Sequence, residues 1–365
     1  ARGVALLDPE HQSGTALRSA RPPADSEAVD EQRAPTPRAD ATPPIDLRHA
    51  LDVPHFESSI LIGLDERLRE DALSAGNYEA ALVKHLRRSL ATSSVQLPTV
   101  PEAIVRLDKL LRDPDCSIVQ VADAVRAEPA IATKVVGFAN SSYYAGFPRT
   151  ASVEGAIARL GMRETKNIVQ AVAFGSRLLR VPGWEREVDL LYRRSITAAS
   201  AARALADQRR GDADEAFMAG LIHDIGRSVL LSTVGEFERT LGRRGALERA
   251  FVQHLADGVH ADLSALVAEA WNASLTLVVG VRYHHAPEVV APGEGRQLAH
   301  LLQLADDLAA FLVDREAHDR GLDEAVPADH RAAVGEVDLA RVISQIRRDA
   351  AGFDIELASE RPARR

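Results

Sequence analysis

The sequence predicts an all-α protein, and three observations carry that prediction. From about residue 46 onward, apolar residues recur at three- and four-residue spacing, the period of a helix face. No segment shows the strict alternation of a half-buried strand, and no repeat has a fixed period. The chain is 46% hydrophobic yet only 4% aromatic, so its core must be mainly Ala, Leu, Val and Ile, which suits close-packed helices.

The elements follow in order. Residues 1 to 45 hold seven of the eighteen prolines among Ser, Asp, Glu and Arg, and read as a disordered tail with little to bury. Residues 46 to 95 turn helical, in SSILIGLDERLRE and NYEAALVKHLRRSL, and read as an N-terminal helical extension. The break at LPTVPEA (97–103) marks a boundary, with Pro98 extended and Pro101 in the first turn of a helix. EAIVRLDKLLRD ends in a turn at Asp113-Pro114-Asp115. SIVQVADAVRA follows, with Asp115 or Ser117 as its cap. PAIATKVVGFAN is closed by Asn140, which tolerates a left-handed conformation and can bond local backbone. SVEGAIARLG is closed by Gly161. ETKNIVQAVAFGSRLL and the run from Leu190 to Gln208 extend the pattern. Beyond Asp307, DLAAFLVDREAHDR and LARVISQIRRDAAGF are amphipathic, making residues 308 to 365 a helical extension with a frayed ERPARR end. Tyr143 and Tyr144 offer a contact surface or core, and Trp271 is expected to anchor the core.

Composition excludes some function classes. The net charge of −9 argues against broad nucleic-acid or anionic-membrane binding. Arg outnumbers Lys forty to four, which reflects composition more than phosphate recognition. A single cysteine, Cys116, forms no intrachain disulfide and points to a reducing, cytoplasmic setting. No apolar run approaches the roughly 18 to 20 residues of a spanning helix, so no membrane insertion is expected. Neither a phosphate-cradling glycine loop nor a nucleophile elbow is present.

The candidate site lies in the histidines. None occurs between His85 and His223; then come His223, His254, His260, His284, His285 and His300. AGLIHDIGRSVLL (219–231) places His223 beside Asp224, and Asp306 follows in LLQLADDLAAF. Imidazole and carboxylate suit divalent transition metals, and helices can aim such ligands inward. The order His-Asp, His, His-His, Asp resembles the HD metal-dependent phosphohydrolase superfamily. In that superfamily a further histidine stands on the helix before the His-Asp pair. Here LLYRRSITAASAARALA (190–206) offers Arg194, or Arg193 in a shifted register. A guanidinium stays protonated and has no lone pair for a metal. The Gly-Tyr-Pro motif of the HD-GYP cyclic di-GMP phosphodiesterases is also missing after VRYHHAP (281–287).

The specific resemblance is to the HDOD domain, the HD-related output domain of bacterial signalling proteins. It rests on Leu97-Pro98 with Pro101, Glu128-Pro129, Ala139-Asn140-Ser141 with Tyr143-Tyr144, and Ala156-Ile157 leading to Leu160-Gly161. GLIHDIGR, HADLSALVAEAWN and VRYHHAP continue it, over roughly 97 to 305; Arg194 and Arg227 are departures from common residues. The resemblance implies a helical N-terminal subdomain followed by an HD-like bundle, here spanning 96 to 307. It implies a non-catalytic, cytoplasmic bacterial signalling protein that binds other regulatory proteins. No cofactor is expected. The alternatives are a phosphohydrolase or cyclic-dinucleotide phosphodiesterase with an altered site, or a receptor for a nucleotide second messenger. In the main reading Arg194 takes the place of a metal and pairs with Asp224, with Asp306 as a second partner. In its rival, His223, Asp224, His260, His284, His285 and Asp306 supply a residual site for one iron, manganese or zinc ion. The oligomeric state is not readable from the sequence.

Overall fold

Apolar stripes at helical spacing become helices almost without exception in this computed structural model. It describes residues 60–68, 77–92, 94–141, 144, 146–178, 181–243 and 245–358, and among these no strand occurs. The fold is all-α. The proline-rich segment 1–45, Tyr143 and the whole ERPARR end lie outside the described residues.

Two helices lead in: residues 60–68 (α1) and Asn77–Ala91 (α2). Ile60, Leu64 and Leu68 fall on one face of α1, and all three are fully buried. A first bundle follows: Glu102–Leu111 (α3), Ile118–Arg126 (α4), Pro129–Ala139 (α5), Val153–Leu160 (α6) and Met162–Leu178 (α7). Local chemistry sets its boundaries. Ser117, rather than Asp115, caps α4 in a reciprocal capping box with Gln120. Gly161 closes α6 at φ +85°, where a side chain would be strained.

Asn140 ends α5 as expected, by the second of its two routes, an amide bonded to local backbone. Its φ is −101°, outside the left-handed region. Its amide instead reaches across the loop, donating to the Thr150 carbonyl at 2.7 Å and accepting the Thr150 N–H at 2.9 Å. The loop between α5 and α6 offered this backbone pair, so the helix end needed no left-handed turn.

A second bundle contains Glu185–Arg209 (α8), Ala213–Ile222 (α9), Ile225–Leu241 (α10), Arg249–Ala270 (α11), Leu275–Arg282 (α12) and Glu294–Val313 (α13). The long α8 packs on α9 and α13, α10 on α11, and α12 on α13. Its Ala198, Ala199, Ala201, Ala202 run is buried, and such small side chains let neighbouring helices come close. Gly220 shows how close: a Cβ there would lie 2.7 Å from the Ala199 Cα. At Gly226 a Cβ would collide with the His260 carbonyl oxygen. Trp271 is a partly buried anchor, its indole N–H donating to the Pro98 carbonyl at 2.7 Å and tying the end of α11 to the lead into α3.

Four further helices complete the chain: Arg315–Arg320 (α14), Leu322–Ala325 (α15), Ala328–Val334 (α16) and Leu339–Gly352 (α17). Helix α17 packs on α8 and also touches α5, so it joins the two bundles. Its buried Asp349 accepts from Arg203 of α8 at 2.9 Å and from Gln345 at 2.8 Å, and also from Ser200. Arg203 extends the network to Glu164 of α7. Phe138 and Phe353 meet edge to face, ring centroids 5.3 Å apart.

Candidate functional site

His223 and Asp224 form the elbow between α9 and α10, and both are buried. The elbow is fixed from either side. Gly220 allows α9 to press on α8, while the Gly226 N–H donates to Ser264 Oγ at 2.8 Å, holding α10 against α11. Around this elbow, α8 contributes Arg194, α11 contributes His260, the turn after α12 contributes His284 and His285, and α13 contributes Asp306. Residues spread over more than a hundred positions thus meet at one point. His300 stays outside, 3.4 Å from Glu288.

Three imidazoles are oriented in the same manner. Nδ1 of His223 lies 2.8 Å from the Gly220 carbonyl, that of His260 2.9 Å from Ala256, and that of His284 2.6 Å from Val281. A carbonyl accepts only, so each Nδ1 carries the proton and each Nε2 of a neutral ring presents its lone pair inward. Among the described residues the Nε2 atoms of His223 and His284 have no close hydrogen-bond partner, the Asp306 carboxylate lying 3.5 Å from that of His223. His260 Nε2 lies 2.9 Å from His285 Nε2 and 3.1 Å from Asp224 Oδ1. His284 and His285 stack with centroids 3.9 Å apart.

The carboxylates are met by arginines. Arg194 Nη2 donates to Asp306 Oδ1 at 2.9 Å, and Asp314 lies 4.0 Å from its Nε. The expected Arg194–Asp224 ion pair does not form. Asp224 instead accepts from Arg227 Nε at 3.1 Å, and Arg227 also binds Asp257 at 2.7 Å. The reason is proximity: Arg227 lies three residues after Asp224, one turn along α10, and reaches it first. In the sequence Arg227 stands out only as a departure from a common residue, and its three-residue spacing from Asp224 is the signal that marks this pairing.

Charges shift accordingly. Burial would raise the Asp306 carboxyl, but Arg194 and then His223 hold it well below the usual carboxylate range. Asp224 is likewise held low against its burial, by Arg227, His223, His260 and Arg194. Asp306 in turn raises the Arg194 guanidinium despite burial. Burial lowers His223, but Asp224 and Asp306 outweigh it and leave that ring above its ordinary value. Burial pushes His260 down to about 4, and holds His284 and His285 below the usual histidine range.

Two triplets here have donor atoms close enough to share a metal ion: His260, His284, His285, and His223, His284, Asp306. They do not fit one equally. The second uses Asp306, which already binds Arg194, and a guanidinium beside a dication is repulsive. In the first, with Asp224 beside it, His260 and His284 have tautomers fixed by backbone carbonyls and turn their Nε2 lone pairs inward, the arrangement expected of imidazole ligands. The cluster opens to a hollow of about 140 Å³ lined by Trp184, Leu191, Arg194, Asp224 and Arg227. Pockets for drug-sized ligands are larger, roughly 300–1,000 Å³.

With this geometry in place, the comparisons with known proteins can be read. Residues 97–287 match the family model of the HDOD domain, more than half of the chain, and the chain belongs to that family. A candidate metal-dependent phosphohydrolase of Shewanella amazonensis SB2B shares the fold at a TM-score of 0.57 and 20% identity, over 76% of this chain and 100% of that one. A candidate signal transduction protein of Marinobacter aquaeolei VT8 does so at 0.51 and 23%, over 79% and 67%. An uncharacterized protein of Treponema pallidum (strain Nichols) is 26% identical over 218 residues, 57% of this chain. This chain spans 42% of the length of that relative. No described helix is long and apolar enough to cross a membrane.

Proposed function

We propose that this chain is a non-catalytic HDOD signalling module of a bacterial cytoplasm that acts by binding other regulatory proteins. The observation that carries this reading is the ion pair between Arg194 and Asp306 at 2.9 Å. It fills the position where the related hydrolases carry a histidine. Arg194 and Arg227 together balance Asp224 and Asp306, so the buried carboxylates have their counter-charges without a dication. A phosphodiester meeting this site would find no second metal-binding position and a hollow too small to hold a dinucleotide.

A second reading has its own support. The lone pairs of His260, His284 and His285, with Asp224, suit a single divalent ion, which would supply a Lewis acid. The alternative function is then a phosphohydrolase with an altered site.

Elemental analysis of untagged protein and a phosphodiesterase assay with manganese or iron decide between them. The proposal expects no stoichiometric metal and no turnover of cyclic di-GMP above a His223→Ala control. Stoichiometric iron, manganese or zinc that disappears in His260→Ala, together with turnover, would overturn it. Affinity capture with cross-linking identifies the protein partners that the reading requires.

A further inference from the structure

A larger cleft, about 620 Å³, lies away from the histidine cluster, where the first bundle meets the second. Its size is that of a ligand pocket. Helices α3 and α7 form one wall, and α9 with the start of α12 forms the other. The interior is apolar, made by Ile104, Met218, Ile222, Leu277 and the Trp271 ring. Into this apolar interior projects Gln170 of α7. It is 4% exposed, and its Oε1 is buried with no hydrogen-bond partner among the described residues. Leaving a buried amide oxygen unbonded is costly unless a ligand supplies a donor.

The two walls carry opposite charge. The α3–α7 wall bears Lys109, Arg112 and Lys166 against the single carboxylate Asp108, three cations less one anion, a net +2. Lys166 and Arg112 share Asp108, at 3.1 and 2.8 Å. Lys109 has no ion-pair partner among the described residues. The opposite wall bears Asp212, Asp214 and Glu215 at the start of α9. Asp214 is paired with Arg163, while Asp212 caps the helix and Glu215 accepts from Ser274.

We propose that this cleft binds a ribonucleoside monophosphate. Its base lies in the apolar interior and donates an N–H to Gln170 Oε1. Its phosphate, with up to two negative charges, meets Lys109 and the Lys166–Arg112 pair. Its ribose hydroxyls face the acidic wall, where carboxylates accept from them. Each part of such a molecule finds the surface that its chemistry needs. An uncharged nucleoside would leave the basic wall unmet, and a sugar phosphate would leave Gln170 unbonded. The inference stands apart from the reading of the histidine cluster, and binding is scored without a turnover assay.

Titration calorimetry of the purified chain with GMP, AMP, guanosine and ribose 5-phosphate tests it. The expected result is saturable one-to-one binding of GMP or AMP, with guanosine and ribose 5-phosphate weaker by about tenfold or more. Gln170→Met should weaken the nucleotide by about tenfold, the loss of one buried hydrogen bond. Lys109→Glu, at an exposed position that leaves folding intact, should weaken it as much. His260→Ala should leave it unchanged. No binding of either nucleotide at millimolar concentration overturns the proposal. So does binding that survives both Lys109→Glu and Gln170→Met, or that is lost with His260→Ala.

Discussion

Arg194 is a largely buried cation set against two carboxylates. With Asp306 at 2.9 Å and Asp314 beyond it, removing the guanidinium leaves buried carboxylate unbalanced. Arg194→Leu should therefore lower unfolding stability by about 3–5 kcal/mol, measured by urea denaturation. Asp306→Asn on top of it should restore part of the loss, with a coupling of about 1–3 kcal/mol in the double-mutant cycle. Additive losses would mean that the pair is a surface contact of little weight. At this scale the sequence told the residue types well and their pairing less well. His223, Asp224, His260, His284, His285 and Asp306 could be listed in order, and they do converge. Arg227 meets Asp224 at a three-residue spacing that the sequence displays, whereas Arg194 meets Asp306 only because of where α8 crosses α13, which no spacing encodes.

At the scale of elements, two glycines decide how the helices meet around the His223-Asp224 elbow. Gly220→Ala would push a methyl to within 2.7 Å of the Ala199 backbone, and Gly226→Ala would drive one into the His260 carbonyl. Neither neighbour is a flexible side-chain end. Each substitution should cost about 1–3 kcal/mol or more, visible as a lower thermal midpoint, with Gly226→Ala the worse. A midpoint unchanged in both would refute the close crossing. Asp349→Ala should also destabilise by about 3–5 kcal/mol, because it strips the charge that balances buried Arg203. The helices themselves were legible, since the apolar period and the residues Ser117 and Gly161 mark them directly. That Asn140 ends α5 was legible, but which of its two routes it takes was not. Asparagine ends helices in more than one way, and its bonds to Thr150 depend on a loop whose path the sequence does not fix. The close approach at Gly220 and Gly226 was equally hidden, because an unmarked glycine in a helix looks the same whether or not another backbone lies against it.

For the molecule as a whole, the histidine cluster makes stability depend on pH. His260 titrates at about 4 in the folded chain, below the ordinary histidine value of 6.5. The unfolded chain therefore takes up its proton first as pH falls. The contribution of His260 is complete above about pH 6.5 and is lost on the way down to about pH 4, on the order of 3 kcal/mol. His284 and His285 shift in the same direction, facing His260, Asp224 and Arg227. His223 opposes them, since its raised value adds stability on protonation. Asp307, whose carboxyl burial pushes up to about 6, also pulls the other way, so the comparison that isolates His260 is with its variant. The fall in thermal midpoint between pH 6.5 and pH 4 should be smaller in His260→Gln than in the parent chain. An equal fall in both would show that His260 does not carry this dependence. The joining of the bundles by α17 was not legible at this scale. An amphipathic stripe says that a helix has a partner and not which one.

That joining helix sets a clock on synthesis. Arg203 and Asp349 are 146 residues apart in the chain. At about 5–20 residues per second, a ribosome needs roughly 7 to 30 s to make the second after the first. Throughout that interval Arg203 has Glu164 but not Asp349, and Phe138 lacks the ring that covers it. Trp271 can already tie the bundles through Pro98, but the α17 bolt across α5 and α8 closes only once Asp349 has been made.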